Sequence, residues 1–355
     1  MIHEALNKII AGNDLSRAEA EAAMEQILCG HASTEQIAAL LVALRIKGET
    51  VDEVVGFAKA MRRHAMPIFP PGSKRPDDVI VDTCGTGGDG CGTFNVSTAA
   101  AFVVAGAGVR VAKHGNRSTS SRCGSADVLE ALGMKVELAP KRVAQAIEEI
   151  GIGFLYAPAM HSATRHATPA RRELRMRTVF NLLGPLTNPA GASAQVVGVY
   201  DASLTELMAR ALGELGVVRA IAVHGADGLD EISTSGETSI AELRDGTVRS
   251  YRVVPEDFGL RRAPLEAISG GDAKHNAEII HKILRSSLIH HEDGPRRDIV
   301  LANSAAALVS AGRATDFLDG VRLAQESIDS GAARAKLDAL VAFSQSETVH
   351  GQSAP

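Results

Sequence analysis

The residues best able to do chemistry lie between Asp82 and Asp127. A short apolar run, Val79-Ile80-Val81, leads into Cys84-Gly85-Thr86-Gly87-Gly88-Asp89-Gly90-Cys91-Gly92-Thr93. Glycines at that density let backbone N–H groups crowd around an anion, because no Cβ intervenes. Asn95 stands where it would cap a helix beginning Val96-Ser97-Thr98. A helix start favours phosphate, since its unpaired N–H groups and its dipole point the same way. Lys113-His114-Gly115-Asn116-Arg117-Ser118-Thr119-Ser120-Ser121-Arg122 ends the next strand-like run, and Ser125 opens a further helix. No Asp or Glu occurs between Gly90 and Ala126, whereas Arg110, Lys113, Arg117 and Arg122 do. An acid-free, cationic, hydroxyl-rich window suits a ligand with several phosphates better than a single carboxylate.

Two further groups of residues have chemical use. Asp227-Gly228-Leu229-Asp230-Glu231 follows an apolar run and places adjacent carboxylates in a loop. Such hard oxygen ligands suit Mg2+ alongside substrate phosphates, although the same pair taken alone reads better as an exposed acidic turn. Arg165, Arg171, Arg172, Arg175 and Arg177 surround one acid, Glu173. One of them can fork onto a carboxylate, while most belong on the surface. Phe180 to Pro189 reads as an ordered loop. No side chain is assigned as catalytic acid, base or nucleophile. Gly85, Gly87 and Gly90 satisfy G-x-G-x-x-G, but the next strand ends in Lys113-His114 where a dinucleotide site needs an acid, so that reading is rejected. A Walker loop fails for lack of Gly-Lys-Ser/Thr.

These segments need a scaffold. Residues 1 to about 66 read as helices started by capping boxes at Ser16/Glu19, Ser33/Gln36 and Thr50/Glu53 and stopped at Gly30 and Gly48. Pro67, Pro70, Pro71, Gly72 and Pro76 make a boundary. Beyond it, apolar runs such as Gln195 to Val199 and Ala220 to Val223 alternate with helical stretches, which predicts an α/β domain with a mostly parallel central sheet. Residues 237–254 predict a β-hairpin on Asp245-Gly246. The expected division is a helical domain over 1–70, completed by a helical segment near 168–186, an α/β domain over 76–343 and a flexible tail over 344–355. A net charge of -5 and 3% aromatics, with no Trp, exclude a general grip on nucleic acid. No apolar run is long enough to span a membrane, and a cytoplasmic protein is expected. Cys29, Cys84, Cys91 and Cys123 are too few for a disulfide framework, and none forms the C-x-x-C pair of a structural zinc site.

Five strings in order, Asp82 to Asp89, Asn95 to Thr98, Lys113 to Arg117, Gly124 to Gly133 and Phe180 to Pro189, resemble the anthranilate phosphoribosyltransferase family of nucleoside-phosphorylase-like transferases. The resemblance spans nearly the whole chain. It departs from the commoner pattern at Thr119, where Val or Ala is usual, and at Arg122, where Lys is common. It implies transfer of phosphoribose from 5-phosphoribosyl 1-diphosphate (PRPP) to the amine of anthranilate, in tryptophan biosynthesis. By position it implies PRPP contacts at Gly85, Gly88, Asp89, Thr93, Asn95, Val96, Ser97 and Thr98, and again at Lys113, His114, Gly115, Asn116, Arg117, Ser118, Thr119, Ser120, Ser121 and Ser125. Anthranilate falls to Gly85, Asn116 and Arg171, and Mg2+ to Ser97, Asp230 and Glu231. His114 is expected in the acceptor pocket without a role in proton abstraction. A homodimer joined through the helical domain is also implied. The rivals are a pyrimidine nucleoside phosphorylase, whose Lys-x-Ser-Gly-Arg-Gly stretch is absent here, and a non-catalytic nucleic-acid-binding relative.

Overall fold

The computed structural model describes residues 2–70, 79–118, 122–285 and 294–346. Pro71, Gly72 and Pro76 of the boundary, Thr119, Ser120 and Ser121 of the PRPP stretch, and tail residues 347–355 lie outside the described residues.

Helices α1 (Ile2–Ile10), α2 (Arg17–Leu28), α3 (Thr34–Lys47) and α4 (Val51–His64) come first. The Ser16, Ser33 and Thr50 hydroxyls accept from the N–H three residues on, while Glu19, Gln36 and Glu53 reach back, so each expected capping box forms. The alternating region supplies β1 (Ile80–Asp82), α5 (Val96–Gly106), β2 (Arg110–Gly115), α6 (Ser125–Ala131), α7 (Pro140–Glu149), β3 (Ile152–Tyr156) and α8 (Ala157–Met160). After α9 (Thr168–Leu174) and α10 (Val179–Leu186) come β4 (Ala194–Gly198), α11 (Leu204–Glu214), β5 (Arg219–Gly225), β6 (Thr238–Arg244) and β7 (Thr247–Val253). The chain closes with α12 (Ala273–Ile283), α13 (Gly294–Ser310), α14 (Phe317–Asp329) and α15 (Ala332–Gln345). The expected loop from Phe180 is therefore largely helix. The Thr178 N–H donates to Asn181 Oδ1 at 3.0 Å and starts α10, which carries Pro185 in its last turn.

Among the described residues the sheet has seven strands in the order β3-β2-β1-β4-β5-β6-β7. The first five run parallel, and β6 and β7 form the expected antiparallel hairpin. Asp245 and Gly246 both take positive φ, 51° and 73°, as a two-residue turn that follows strand twist requires. Both faces of the parallel part are covered, and strand periodicity sorts the side chains. Val196, Ile221 and Val223 join a core with α5 and α13 to α15. Val197, Ala220 and Ala222 join a second core with α11, α4, α9 and α10. α9 and α10 thus pack with the N-terminal helices although they lie between β3 and β4 in sequence.

Candidate active site

Strands β1 and β4 are neighbours, yet the chain leaves β1 for β2 on one side and later β4 for β5 on the other. In an open α/β sheet such a reversal opens a crevice beyond the C-terminal strand ends. The glycine loop emerges there from β1, and the Asp227 to Glu231 loop emerges from β5. Gly198, which ends β4, has no room for a side chain, since a Cβ would run into the Asp230 backbone. A Cβ on Gly85 would lie 2.9 Å from Asp230 Oδ2. The two loops are pressed together and bonded: Thr86 N donates to Gly198 O at 2.8 Å, and Gly87 N to Asp230 Oδ2 at 2.7 Å. Gly87, Gly88, Gly90 and Gly92 all take positive φ, which explains the glycine density of the loop.

The acidic loop is braced from behind. Asp227 Oδ2 accepts from the Ser233 and Ser235 hydroxyls at 2.6 and 2.5 Å, and Asn303 of α13 accepts the Ile232 N–H at 2.9 Å. Asp230 and Glu231 are half-buried in the crevice. Burial pushes Asp230 up to about 7, helped by the neighbouring Asp89 carboxylate. Burial, then the Asp230 charge, raises Glu231 well above the carboxylate range, with Lys113 opposing. Glu231 Oε1 accepts the Ser97 N–H at 3.2 Å. Lys113 is buried, and its Nζ makes three weak contacts at 3.3 Å, to Thr83 O, Thr83 Oγ1 and Ser97 Oγ. Behind it the buried Asp82 accepts His114 N at 3.1 Å and Asn188 Nδ2 at 2.7 Å, and burial pushes it up to about 6. Thr83, Gly85, Ser97, Gly198 and Glu231 line the crevice floor. Beyond burial, the Asp89 charge thus raises Asp230, and the Asp230 and Asp89 charges raise Glu231, with Lys113 opposing at Glu231. That donor set fits a divalent ion shared with phosphate oxygens.

Several expectations change in the details. Asn95 occupies the N-cap position of α5 but makes no side-chain cap. Its amide instead donates to Cys123 O at 3.2 Å and accepts from Asn276 at 3.0 Å, tying α5 to α12. In the first turn of α5, Val96 N donates to Phe94 O and Ser97 N to Glu231. The Val96 and Thr98 side chains are buried, and Thr98 Oγ1 has no partner among the described residues. The cationic window shrinks. Arg117 forks onto Glu130 at 2.6 Å and reaches Asp127 at 3.2 Å, acids that lie just past the acid-free window. Arg110 begins β2, at the strand end opposite the crevice.

Other members stay close to the crevice. Gly115 lets β2 pass Ser125 and Phe154, where a Cβ would strike both. Asn116 O accepts Ala126 N at 3.1 Å and Ser125 Oγ at 3.3 Å, and Ser118 N donates to Asp127 at 3.0 Å. Thr93 bridges to Ser269 beside the loop. His114 turns its ring toward α10, with Nδ1 3.1 Å from Gly184 O, and packs edge-on against His161 at 5.1 Å. Burial lowers these rings to about 3 and about 4, so both are neutral, and each Nε2 lacks a partner among the described residues. Arg171 of α9 lies 5.0 Å over the Phe180 ring of α10, with no carboxylate partner among the described residues. Arg177 was hidden among its neighbours in sequence. It packs 4.4 Å over Tyr200 and donates to the Gly88 carbonyl, reaching the glycine loop from the α9–α10 joint.

No helix among the described residues is long and apolar enough to cross a membrane. Residues 3–65 match the glycosyl transferase family helical bundle domain, and residues 77–334 match its a/b domain. The chain is 56% identical over 338 residues to the anthranilate phosphoribosyltransferase of Symbiobacterium thermophilum, covering 95% of this chain and 96% of that one. It is 55% identical to that of Moorella thermoacetica, covering 98% and 99%. The crystal structure of the Thermus thermophilus enzyme superposes with a TM-score of 0.88 at 46% identity, over 96% and 99% of the two chains. The Saccharomyces cerevisiae enzyme in complex with PRPP and Mg gives 0.86 at 28% identity, over 98% of each. With its paired acids beneath a glycine loop and relatives matched over almost their full length, the chain belongs to the anthranilate phosphoribosyltransferase family.

Proposed function

We propose that this chain transfers the 5-phosphoribosyl group of PRPP to the amine of anthranilate, giving N-(5-phosphoribosyl)anthranilate and pyrophosphate in tryptophan biosynthesis. The observation that carries the reading is the placement of Asp230 and Glu231, both raised by burial, directly under the glycine loop and beside Lys113. Loss of pyrophosphate leaves positive charge on the ribosyl carbon and negative charge on the departing group. Mg2+ held by Asp230, Glu231 and Ser97 would neutralise the latter charge when bound. Lys113 adds fixed positive potential in a recess, where it is worth more than in water. The aromatic amine is neutral and nucleophilic at pH 7, so positioning suffices and no strong base is required. Arg171, without an acidic partner among the described residues, is suited to the anthranilate carboxylate, with Asn116 and the Gly85 backbone against the ring. His114 and His161, neutral throughout the physiological range, serve as acceptor-side wall and take no proton.

Ile10 and Ile46, 69% and 81% exposed on the packed pair α1 and α3, support association of two copies through the helical domain. A cytoplasmic setting suits these substrates. The direct test is loss of anthranilate fluorescence on adding PRPP and Mg2+, prevented when EDTA is present from the start. Turnover that persists in EDTA would remove the metal from the reading. No turnover with anthranilate, but phosphorolysis of a pyrimidine nucleoside, would favour the related phosphorylase chemistry.

A further inference from the structure

Outside the crevice, the helical bundle gathers three side chains for which the phosphoribosyl reaction has no use. Glu25 and Cys29 are one turn apart, on α2 and at its C-cap, so they share a face, and His64 is the last residue of α4. One ligand atom from each lies within 4.8 Å of the other two. Glu25 Oε1 sits between its partners, 2.5 Å from His64 Nε2 and 3.6 Å from Cys29 Sγ. The other Glu25 oxygen is held by Arg63 at 2.9 Å, which fixes the carboxylate with Oε1 toward the thiol and the imidazole. The scaffold beneath is close-set. Gly56 lets α4 approach α2 so nearly that a Cβ would lie 2.8 Å from the Ala20 methyl. The cluster is open to entry, with Glu25 38% and His64 27% exposed at the side chain and Cys29 exposed.

We propose that Glu25, Cys29 and His64 form a binding site for a borderline-soft divalent transition metal of the Zn2+ class, clamping α2 to α4. Sulfur, nitrogen and oxygen donors together select such an ion over Mg2+, which takes oxygen ligands only, so this site and the crevice sort different metals. Bonds of about 2.0–2.3 Å place tetrahedral ligand atoms roughly 3.3–3.8 Å apart. The thiol–carboxylate spacing already falls there, and the imidazole has to withdraw from Glu25 by less than about 1 Å. On binding, the Cys29 S–H bond breaks, its proton goes to solvent, and the thiolate and the Glu25 carboxylate together balance the ion's charge. His64 gives up its hydrogen bond to Glu25, its ring proton passes through solvent from Nε2 to Nδ1, the freed Nε2 lone pair faces the ion, and water completes the fourth position. An ion bound only by the folded chain raises its stability. The absence of a C-x-x-C pair hides the site in sequence, because its ligands come from positions 25, 29 and 64.

The test uses the full chain without an affinity tag, stripped with EDTA and titrated with Co2+ as a spectroscopic stand-in for Zn2+. The expected result is a thiolate-to-cobalt charge-transfer band in the near ultraviolet that saturates at one ion per chain. Cys84 also lies with a carboxylate and an imidazole, Asp82 and His114, so the band must survive Cys84→Ser and disappear in Cys29→Ser. Zn2+ affinity measured by calorimetry should weaken by at least about tenfold in His64→Ala. A wild-type chain without the band, a band that survives Cys29→Ser, or a Zn2+ affinity unchanged in His64→Ala would overturn the proposal. The readout involves neither PRPP nor anthranilate, so it stands or falls apart from the proposed reaction, and Mg2+-supported turnover should be unchanged in Cys29→Ser.

Discussion

Glu53 and the Asp230–Glu231 pair are both acids drawn into the folded chain, and the deeper one is the better served. Glu53 is 0% exposed, yet it accepts Leu15 N at 2.9 Å, Thr50 N at 2.8 Å and Thr50 Oγ1 at 3.1 Å and is paired with Lys47 at 3.0 Å. Asp230 and Glu231 are only half-buried, yet they are met by backbone N–H groups, Gly87 of the facing loop on Asp230 and Ser97 of α5 on Glu231, and burial raises both. Depth alone therefore does not mark a functional acid. What separates the two is whether the fold supplies the counter-charge. In the bundle it does, and the carboxylate ties the start of α4 to the α1–α2 turn. In the crevice it leaves a deficit that an ion and a diphosphate can fill.

That contrast is most exposed to a double substitution, Asp230→Asn with Glu231→Gln. Removing the metal-holding charge should lower kcat/KM for PRPP by about 1,000-fold or more, because charge on the leaving group is no longer neutralised. The same change should raise the melting temperature of the metal-free chain, since a carboxylate whose folded pKa is raised opposes folding at every pH above its unfolded value. Unchanged activity, or a lower melting temperature without Mg2+, would break the contrast. Glu53→Ala should behave oppositely. Stripping the acid from Lys47, Leu15 N and Thr50 N should cost about 3–5 kcal/mol in urea unfolding, while turnover per folded molecule at low temperature changes by less than about twofold.

How much of this was legible in the chain follows the range of the interactions. Ser16, Ser33 and Thr50 announce their helices because each cap partner is three residues away, and Asp245-Gly246 announces its hairpin because the turn is made within two residues. Glu53 was visible as a capping residue but not as a buried ion pair, since Leu15 comes from another part of the bundle. Asn95 has the right type for a cap, and a tertiary partner, Asn276, displaces the local one. Arg117 looked free for phosphate because its acids lie ten and thirteen residues on, beyond the window that looked purely cationic. The α10 helix was obscured by Gly184 and Pro185, whose poor helix propensity is overridden by burial of Val179, Phe180, Leu182 and Leu183.

Helix α10 also lets the acceptor side of the crevice be separated from the metal side. Arg171→Ala should raise the anthranilate KM by roughly 30-fold, about 2 kcal/mol for a lost charge-assisted contact, with the PRPP KM nearly unchanged. An effect confined to PRPP would move Arg171 to the donor side. The histidines behind it predict a pH dependence of stability. His114 and His161, held near 3 and 4 by burial, stay neutral in the folded chain while the unfolded chain takes up protons below about 6.5. Stability present above that pH should therefore fall on acidification toward 4, by up to about 1.4 kcal/mol per pH unit for each ring. His114→Phe should flatten the slope, and a slope identical to wild type would show the ring to be charged or already exposed.

The smallest expected effect belongs to Arg177, and it probes how the bundle side of the molecule touches the metal side. Its guanidinium rests on Tyr200 and donates to the Gly88 carbonyl, while Gly87, one residue earlier, donates to Asp230. Holding one carbonyl of the loop fixes the turn that packs on Asp230, so in the proposed reaction the side chain would act on PRPP through the loop rather than by touching the reacting atoms. Arg177→Ala should raise the PRPP KM by about threefold to tenfold, near 1 kcal/mol for one exposed charge-assisted hydrogen bond, and leave the anthranilate KM in place. Arg177→Lys keeps a donor and should recover part of the loss. A merely structural role would lower the melting temperature without splitting the two KM values. Equal rises for both substrates would mean instead that the α9–α10 joint moves as one piece, carrying Arg171 with it.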